Sequence, residues 1–506
     1  MTNSRTNYAG SLVSYLNSNG PALSSEVVKY LVSTGRSKDN ARKLIERSVG
    51  TVLRLKRVRF AHNQQFLFLA PQYKKPVFWT SLIQAFQASR SVYGPAVNSL
   101  LARDGAWPVP FFDIISGSPE MLSKHVSSSS VLKRLTEIEL LEILDRPDIG
   151  PCASLVPDAV PLPGKAVGTA LRSRLIAEDI LLSGLSEWIR NTGLGSWNKV
   201  ESRNLKKQPK FGQFKWDFSA PTFVHPIRSP NNKTNRPVTG FVVGDVLLGR
   251  DITIEDLEYF FLKTETMRQQ PNTRPFLAMF IADRYSSTAL KTGRNKGLLL
   301  VTTENLFGRQ VALGLSQLIQ VLNNAAAAVG SNPAIVADLF DKLDSLKGAS
   351  LNVRGWLFEL LAAHMLRTDG WSIISVGELR RDPQSGGVAE VDVLAIKGND
   401  VIAIECKGYV TNEVALDEVE KWLTTSVPRI RGSLLSEKLY QQKDIEYEFW
   451  TTSKFSSDAL NFLRQKKQEI KKYTINWREG SDLMNFSKKI KSDYASRLLR
   501  EQYQLS

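Results

Sequence analysis

Residues 390–407, EVDVLAIKGNDVIAIECK, constrain this chain more than any other stretch. Two apolar, strand-forming runs flank KGND, a tight-turn signal. With Gly398–Asn399 as a two-residue turn, Lys397 opposes Asp400, Ile396 opposes Val401, Leu394 opposes Ala403 and Asp392 opposes Glu405. A four-residue loop over 397–400 leaves this register unchanged. Two acids then face each other across adjacent strands, with Cβ atoms roughly 5 Å apart. Directly opposed like charges destabilise a sheet, and more so in apolar surroundings. A proton on one acid, or a bound cation, has to offset the repulsion. Converging oxygen ligands suit Mg²⁺ or Mn²⁺. Lys407 falls two residues after Glu405 and projects to the same face, whereas Cys406 points to the other side, into a core. A lysine beside a metal-bound water can orient it, or stabilise charge developing on a phosphate. The same register sets Glu390 opposite Lys407, so a plain cross-strand salt bridge is the alternative use of that lysine.

The flanking sequence builds a domain around this hairpin. LNVRGWLFELLAAHMLRTDG reads as an amphipathic helix ended by Gly370, with Val353, Trp356, Leu357, Leu360, Leu361 and His364 on one face. It also carries Glu359, a candidate third ligand. WSIISVGEL is a strand, and after the hairpin NEVALDEVEKWLTTS is a helix, IEYEFWTTS a strand, SSDALNFLRQKKQEIKK a helix and YTINWRE a strand. The order α-β-β-β-α-β-α-β predicts a mixed sheet with helices on both faces.

A helix Glu, then Asp, a spacer of about a dozen residues and Glu-x-Lys resembles the motif of PD-(D/E)xK nucleases. RGWLFE, AEVDVLAI, IECKG and FWTTSKFSSDALNFL look like the corresponding segments of Mrr-like restriction endonucleases and resolvase-like relatives, over about 345–485. Val391 stands where the motif usually has proline. The resemblance implies that Asp392 and Glu405 are metal ligands, Lys407 the catalytic lysine and Glu359 an accessory acid. It implies Mg-dependent hydrolysis of phosphodiesters in DNA, in restriction or antiviral defence and with a possible additional defence-system protein. DNA repair or transposition, an RNA substrate, and a DNA-binding regulator with a vestigial nuclease fold are the alternatives.

At 506 residues the chain exceeds one core and predicts two to four domains. Its net charge of +16 points to a polyanionic partner. No apolar run reaches membrane-spanning length and the N-terminus has no signal-like segment, so a cytoplasmic nucleic-acid binder is expected. Two cysteines and four scattered histidines offer neither a disulfide framework nor a zinc site. Residues 1–74 predict three helices and a basic hairpin formed by TVLRLKRVRF and QQFLFLA, the layout of a winged helix-turn-helix. Lys38, Arg42, Lys43 and Arg47 fall on or beside its reading helix, and Lys56, Arg57 and Arg59 on its wing. The same layout also serves winged helices that bind only protein. Residues 75–150 read as helical, with a second winged helix as one option, and GPCASLVPDAVPLPG (150–164) as a linker.

Residues 165–330 echo the element order of the 340–506 domain. GQFKWDFSAP parallels VAEVDVLAI, which sets Asp217 near the Asp392 position. TGFVVGDVLLGRD parallels DVIAIECKGYVTN, with Gly244-Asp245-Val246 at the Glu-x-Lys positions and hence no lysine. This predicts a degenerate nuclease-like domain. GLSQLIQVLNNAAAAVG is a helix between the two units. With one intact site in a multidomain α+β chain, double-strand cleavage requires a homodimer or transient pairing on DNA.

Overall fold

The computed structural model describes residues 3–48, 50–146, 149–159, 170–204, 207–224, 238–323, 339, 342 and 350–505. The N-terminal elements are α1 (Asn3–Asn19), β1 (Ala22–Leu23), α2 (Ser24–Ser33), α3 (Lys38–Arg47), β2 (Leu53–Arg54) and β3 (Phe66–Phe68). α3 starts where the sequence signals it, with the Ser37 hydroxyl accepting the Asn40 N–H. Ala41, Leu44 and Ile45 turn inward onto a small core with Leu12, Leu16, Val27 and Leu31. The three strands form an antiparallel sheet in the order β1-β3-β2. The expected hairpin is shorter than its sequence: pairing is confined to 53–54 and 66–68, and 56–60 run outside the strands. Arg57 there adopts φ +75°, outside the β region.

α4 (Pro76–Ala88), α5 (Gly94–Leu101), β4 (Ala106–Pro108), α6 (Phe112–Ile115), α7 (Ser128–Glu137), β5 (Leu141–Arg146) and β6 (Gly150–Leu155) follow. Their sheet order, β4-β6-β5, repeats the arrangement of the first. The expected linker at 150–164 is corrected over its first half: 150–155 are the central strand β6. Pro151 is tolerated because β4 pairs only with 152–154, so Pro151 has a strand neighbour on one side alone. Residues 160–169, the rest of that linker, lie outside the described residues, as does the alanine run at 325–328.

Two five-stranded sheets make up the remainder. The first comes from α8 (Leu171–Asn191), β7 (Glu201–Ser202), the small hairpin β8 (Lys210–Phe211) and β9 (Phe214–Lys215), β10 (Phe218–Thr222), β11 (Gly240–Ile252), α9 (Ile254–Arg268), β12 (Phe276–Tyr285), α10 (Ser287–Asn295), β13 (Leu299–Thr302), α11 (Thr303–Phe307) and α12 (Arg309–Asn323). The second comes from α13 (Ser350–Thr368), β14 (Ser372–Arg381), β15 (Val388–Lys397), β16 (Asp400–Lys407), α14 (Leu416–Lys421), α15 (Val427–Ser436), β17 (Asp444–Thr451), α16 (Ser457–Glu469), β18 (Thr474–Arg478), α17 (Gly480–Lys489) and α18 (Asp493–Tyr503). The predicted order of elements around the hairpin therefore holds.

Strand orders are β7-β10-β11-β12-β13 and β14-β15-β16-β17-β18. In each, the first two pairings are antiparallel and the last two parallel. A long helix precedes each sheet, and helical crossovers join its parallel strands. The buried faces of α8 and α13 meet in one apolar core, with Ile176, Ile180 and Leu181 beside Leu357, Leu360 and Leu361. No helix among the described residues is long and apolar enough to cross a membrane.

Candidate active site

The β15–β16 hairpin pairs Lys397 with Asp400, Ile396 with Val401, Leu394 with Ala403 and Val393 with Ile404, the register counted from the sequence. Gly398, at φ +65°, supplies the left-handed turn residue this short connection needs. One step beyond the last ladder pair come Asp392 and Glu405. Here the Asp392 carboxylate takes over from the ladder: its Oδ2 accepts the Cys406 N–H at 2.6 Å. Cys406 is buried in the core behind the sheet, as its position after Glu405 requires.

Lys407 turns back to Glu405, with Nζ 2.6 Å from Oε1. It does not pair with Glu390; that acid is ion-paired with Arg172, which removes the cross-strand salt bridge as an explanation of the lysine. Glu359 reaches the same place from α13. It is buried, its Oε1 lies 3.5 Å from Arg172 Nη2, and its Oε2 has no hydrogen-bond partner among the described residues. The sheet thus brings Glu359, Asp392, Glu405 and Lys407 together on one cavity of about 820 Å³. Arg172, Arg381, Lys421 and Arg429 add positive charge to its lining.

Burial, then the neighbouring Glu405 charge, pushes Asp392 up to about 7, with Lys407 pulling the other way. Burial likewise raises Glu359 well above the usual carboxylate range, and Arg172 only partly offsets it. For Lys407 burial opposes the charge, but Glu405 and Asp392 more than compensate and hold the ammonium above the ordinary lysine range. The site therefore holds two carboxyls whose burial favours the protonated form, beside a firmly protonated lysine.

The first sheet contains a counterpart. β10 and β11 pair Phe218 with Gly244, and one step further Asp217 and Asp245 stand where Asp392 and Glu405 stand. Val246 donates its N–H to Asp217 Oδ2 at 2.7 Å, the equivalent of the Cys406–Asp392 bond. The register expected from sequence is corrected by one residue: the Glu-x-Lys positions are Asp245-Val246-Leu247, not Gly244-Asp245-Val246. The β10–β11 connection is long, so there was no tight turn to count from. The lysine is absent from the strand all the same, and Leu247 at its position is fully buried.

Cations arrive from elsewhere. Arg203 bridges Asp217 at 2.5 Å and Glu178, from α8, at 2.6 Å. Lys263, from α9, meets Asp245 at 2.6 Å and lies 4.0 Å from the Trp216 ring centroid. Glu178, Asp217, Asp245 and Lys263 have no exposed surface, and Arg203 almost none. Burial pushes Asp245 up to about 6, with Lys263 partly offsetting it.

Of the basic residues at the N-terminus, Lys38, Arg42, Lys43, Arg47, Lys56, Arg57 and Arg59 are all exposed. Arg57 also reaches Glu137 of α7 at 3.1 Å. Sequence reasoning missed Arg172, Arg203 and Lys263. Arg172 lies 187 positions before Glu359, and no spacing rule connects them. Glu178 was legible in part, since it sits in the helix whose sequence parallels that of Glu359.

No curated protein and no solved structure matches this chain. One family does match part of it: residues 354–474, which span the hairpin, the acids and Lys407, match the nuclease-related domain, and this supports a nuclease domain at that position.

Proposed function

We propose that this protein is a metal-dependent nuclease of the PD-(D/E)xK type that hydrolyses phosphodiester bonds in duplex DNA. The observation that carries the reading is the convergence of Asp392, Glu405 and Lys407 on one cavity, within the segment that matches the nuclease-related domain. Two opposed acids in a strand pair call for a counter-charge. A cation between them removes the repulsion.

The donor set fits a hard divalent cation. Its candidate ligands are all carboxylates, and Glu359 Oε2 is buried without a partner. Among the described residues no three acidic side chains form a ready-made cage. Mg²⁺ does not require one, because it keeps several waters and binds through one or two carboxylates plus substrate phosphate. Asp392 and Glu405 would hold it, with Glu359 as the further acid. When bound, it supplies Lewis-acid polarisation of the phosphate and a water of lowered pKa. Lys407 does the rest from the protein side. Its ammonium, anchored on Glu405, stabilises the charge that grows on the phosphate oxygens. Arg381, Lys421 and Arg429 draw the polyanion to the cavity.

The N-terminal sheet and its exposed basic helix α3 support a winged helix-turn-helix that grips the DNA backbone, and the 75–155 unit repeats its sheet order. The 171–307 unit supports the reading of a degenerate nuclease copy that cannot cut, because its acids are sealed against internal cations. One open site per chain implies a homodimer, or transient pairing on DNA, for double-strand cleavage.

The test is digestion of plasmid and of a matched RNA with Mg²⁺ or Mn²⁺, with and without chelator. Metal-dependent cutting of DNA by the wild type, lost in Asp392→Ala, is the expected result. Cutting of RNA alone moves the substrate assignment, and no cutting of either contradicts the proposal.

A further inference from the structure

The segment that matches the nuclease-related domain does not contain the whole site. Arg172 belongs to α8, the helix that opens the companion sheet, yet its guanidinium lies in the cavity of the second sheet. It ion-pairs with Glu390 and approaches Glu359 Oε1 at 3.5 Å. Two further observations show that the backbone is built around this reach. Gly377 of β14 takes φ +64°, and a Cβ there would come within 1.6 Å of Arg172 Nη1. The start of α8 is also locked: Arg174 donates to Leu248 O at 3.1 Å and Ala102 O at 3.2 Å and pairs with Asp104 at 3.0 Å. A side chain on so fixed a base is placed rather than loosely draped.

We propose that Arg172 is a positioning residue, supplied by the companion domain, that holds Glu359 in the nuclease site. This rests on the nuclease reading above. Arg172 engages one oxygen of Glu359, and the other is buried without a hydrogen-bond partner. It also supplies a second positive charge where four acids, Glu359, Glu390, Asp392 and Glu405, face Lys407. Its Nη2 lies between two carboxylates, those of Glu390 and Glu359. The consequence is that residues 354–474 alone form an incomplete site, and that any movement of α8 against α13 is felt at Glu359.

The test uses full-length chains in single-turnover DNA cleavage. Arg172→Ala is expected to lower the maximal rate roughly 10–100-fold, as loss of a ligand-orienting partner typically does, with half-saturating DNA concentration little changed. Arg172→Lys recovers part of the rate. In a Glu359→Gln background Arg172→Ala costs much less than it does alone, because the residue it positions is already gone. Melting curves confirm that each variant is folded, and the pairing appears there too, as a double-variant shift smaller than the sum of the singles. Arg172→Ala cutting like wild type overturns the inference, and so do rate losses that simply add to those of Glu359→Gln. Failure of the wild-type chain to cut any substrate is a different result: it overturns the nuclease reading, and this inference with it.

Discussion

The two five-stranded sheets share strand order, strand directions and the placement of an acid pair one step past the last ladder bond. In both, the first acid accepts the backbone N–H of the residue after the second. They part at the next position. In the second sheet it is Lys407, facing a cavity of about 820 Å³; in the first it is Leu247, fully buried. The first sheet neutralises its acids with Arg203 and Lys263, brought in from a neighbouring loop and helix and closed over by protein. A scaffold that fixes two opposed acids leaves a charge problem, and the two units resolve it differently. One keeps the problem open to solvent, where a metal and a phosphate can meet it. The other meets it with its own buried cations. Fold alone would not separate them; the residue two positions after the second acid and the access to it do.

Four outcomes would sharpen or break this contrast. The largest is expected from Lys407→Ala, which removes the cation beside the acids and should cut the cleavage rate roughly 10²–10³-fold with the melting temperature nearly unchanged. A loss of fold instead would make the lysine structural, like its counterparts in the first sheet. Next is Arg203→Met, which strands Glu178 and Asp217 in a dry interior. Breaking a buried ion pair typically costs about 3–5 kcal/mol, or roughly 6–20 °C in melting temperature for a unit of this size. A calorimetric scan showing no shift would mean that these acids do not need their cation. Adding chelator is expected to abolish cleavage by the second sheet while leaving the stability contribution of the first untouched, since its counter-charges are covalent. A chelator-sensitive melting of Arg203→Met but not of wild type would show that a metal can re-enter the sealed site. The smallest effects belong to the N-terminal unit. Alanine at Arg42, Lys43 or Arg47 should each weaken duplex binding and lower the salt slope by about 0.9 for each phosphate no longer neutralised. Arg57→Ala should do less, because that side chain is partly engaged by Glu137.

How much of this was readable without a structure depended on how far apart the partners lie in the chain. The hairpin was legible over 393–404, because its tight turn fixes the register, and Asp392 and Glu405 lie one step beyond the paired residues. The β10–β11 pair has the same register logic but a long connection, and there the count slipped by one. The strand β6 was hidden by Gly150 and Pro151, which read as a linker; only the one-sided pairing at that end explains why they are tolerated. The N-terminal hairpin was over-extended, because an alternation of apolar and basic residues continues past the point where the backbone leaves the sheet at Arg57. Arg172 had no local signal at all: its role depends on two helices packing through a shared core.

The central claim is that chemistry belongs to the open acid pair and not to its sealed twin. Asp245→Asn strands the buried Lys263 ammonium and is expected to cost stability, so it is assayed well below its melting temperature, whereas Asp392→Ala removes a proposed ligand. The two full-length variants should be compared with wild type on supercoiled plasmid in Mg²⁺. The account predicts that Asp245→Asn cuts at close to the wild-type rate and that Asp392→Ala does not cut. An Asp392→Ala chain that cuts as fast as wild type would contradict it.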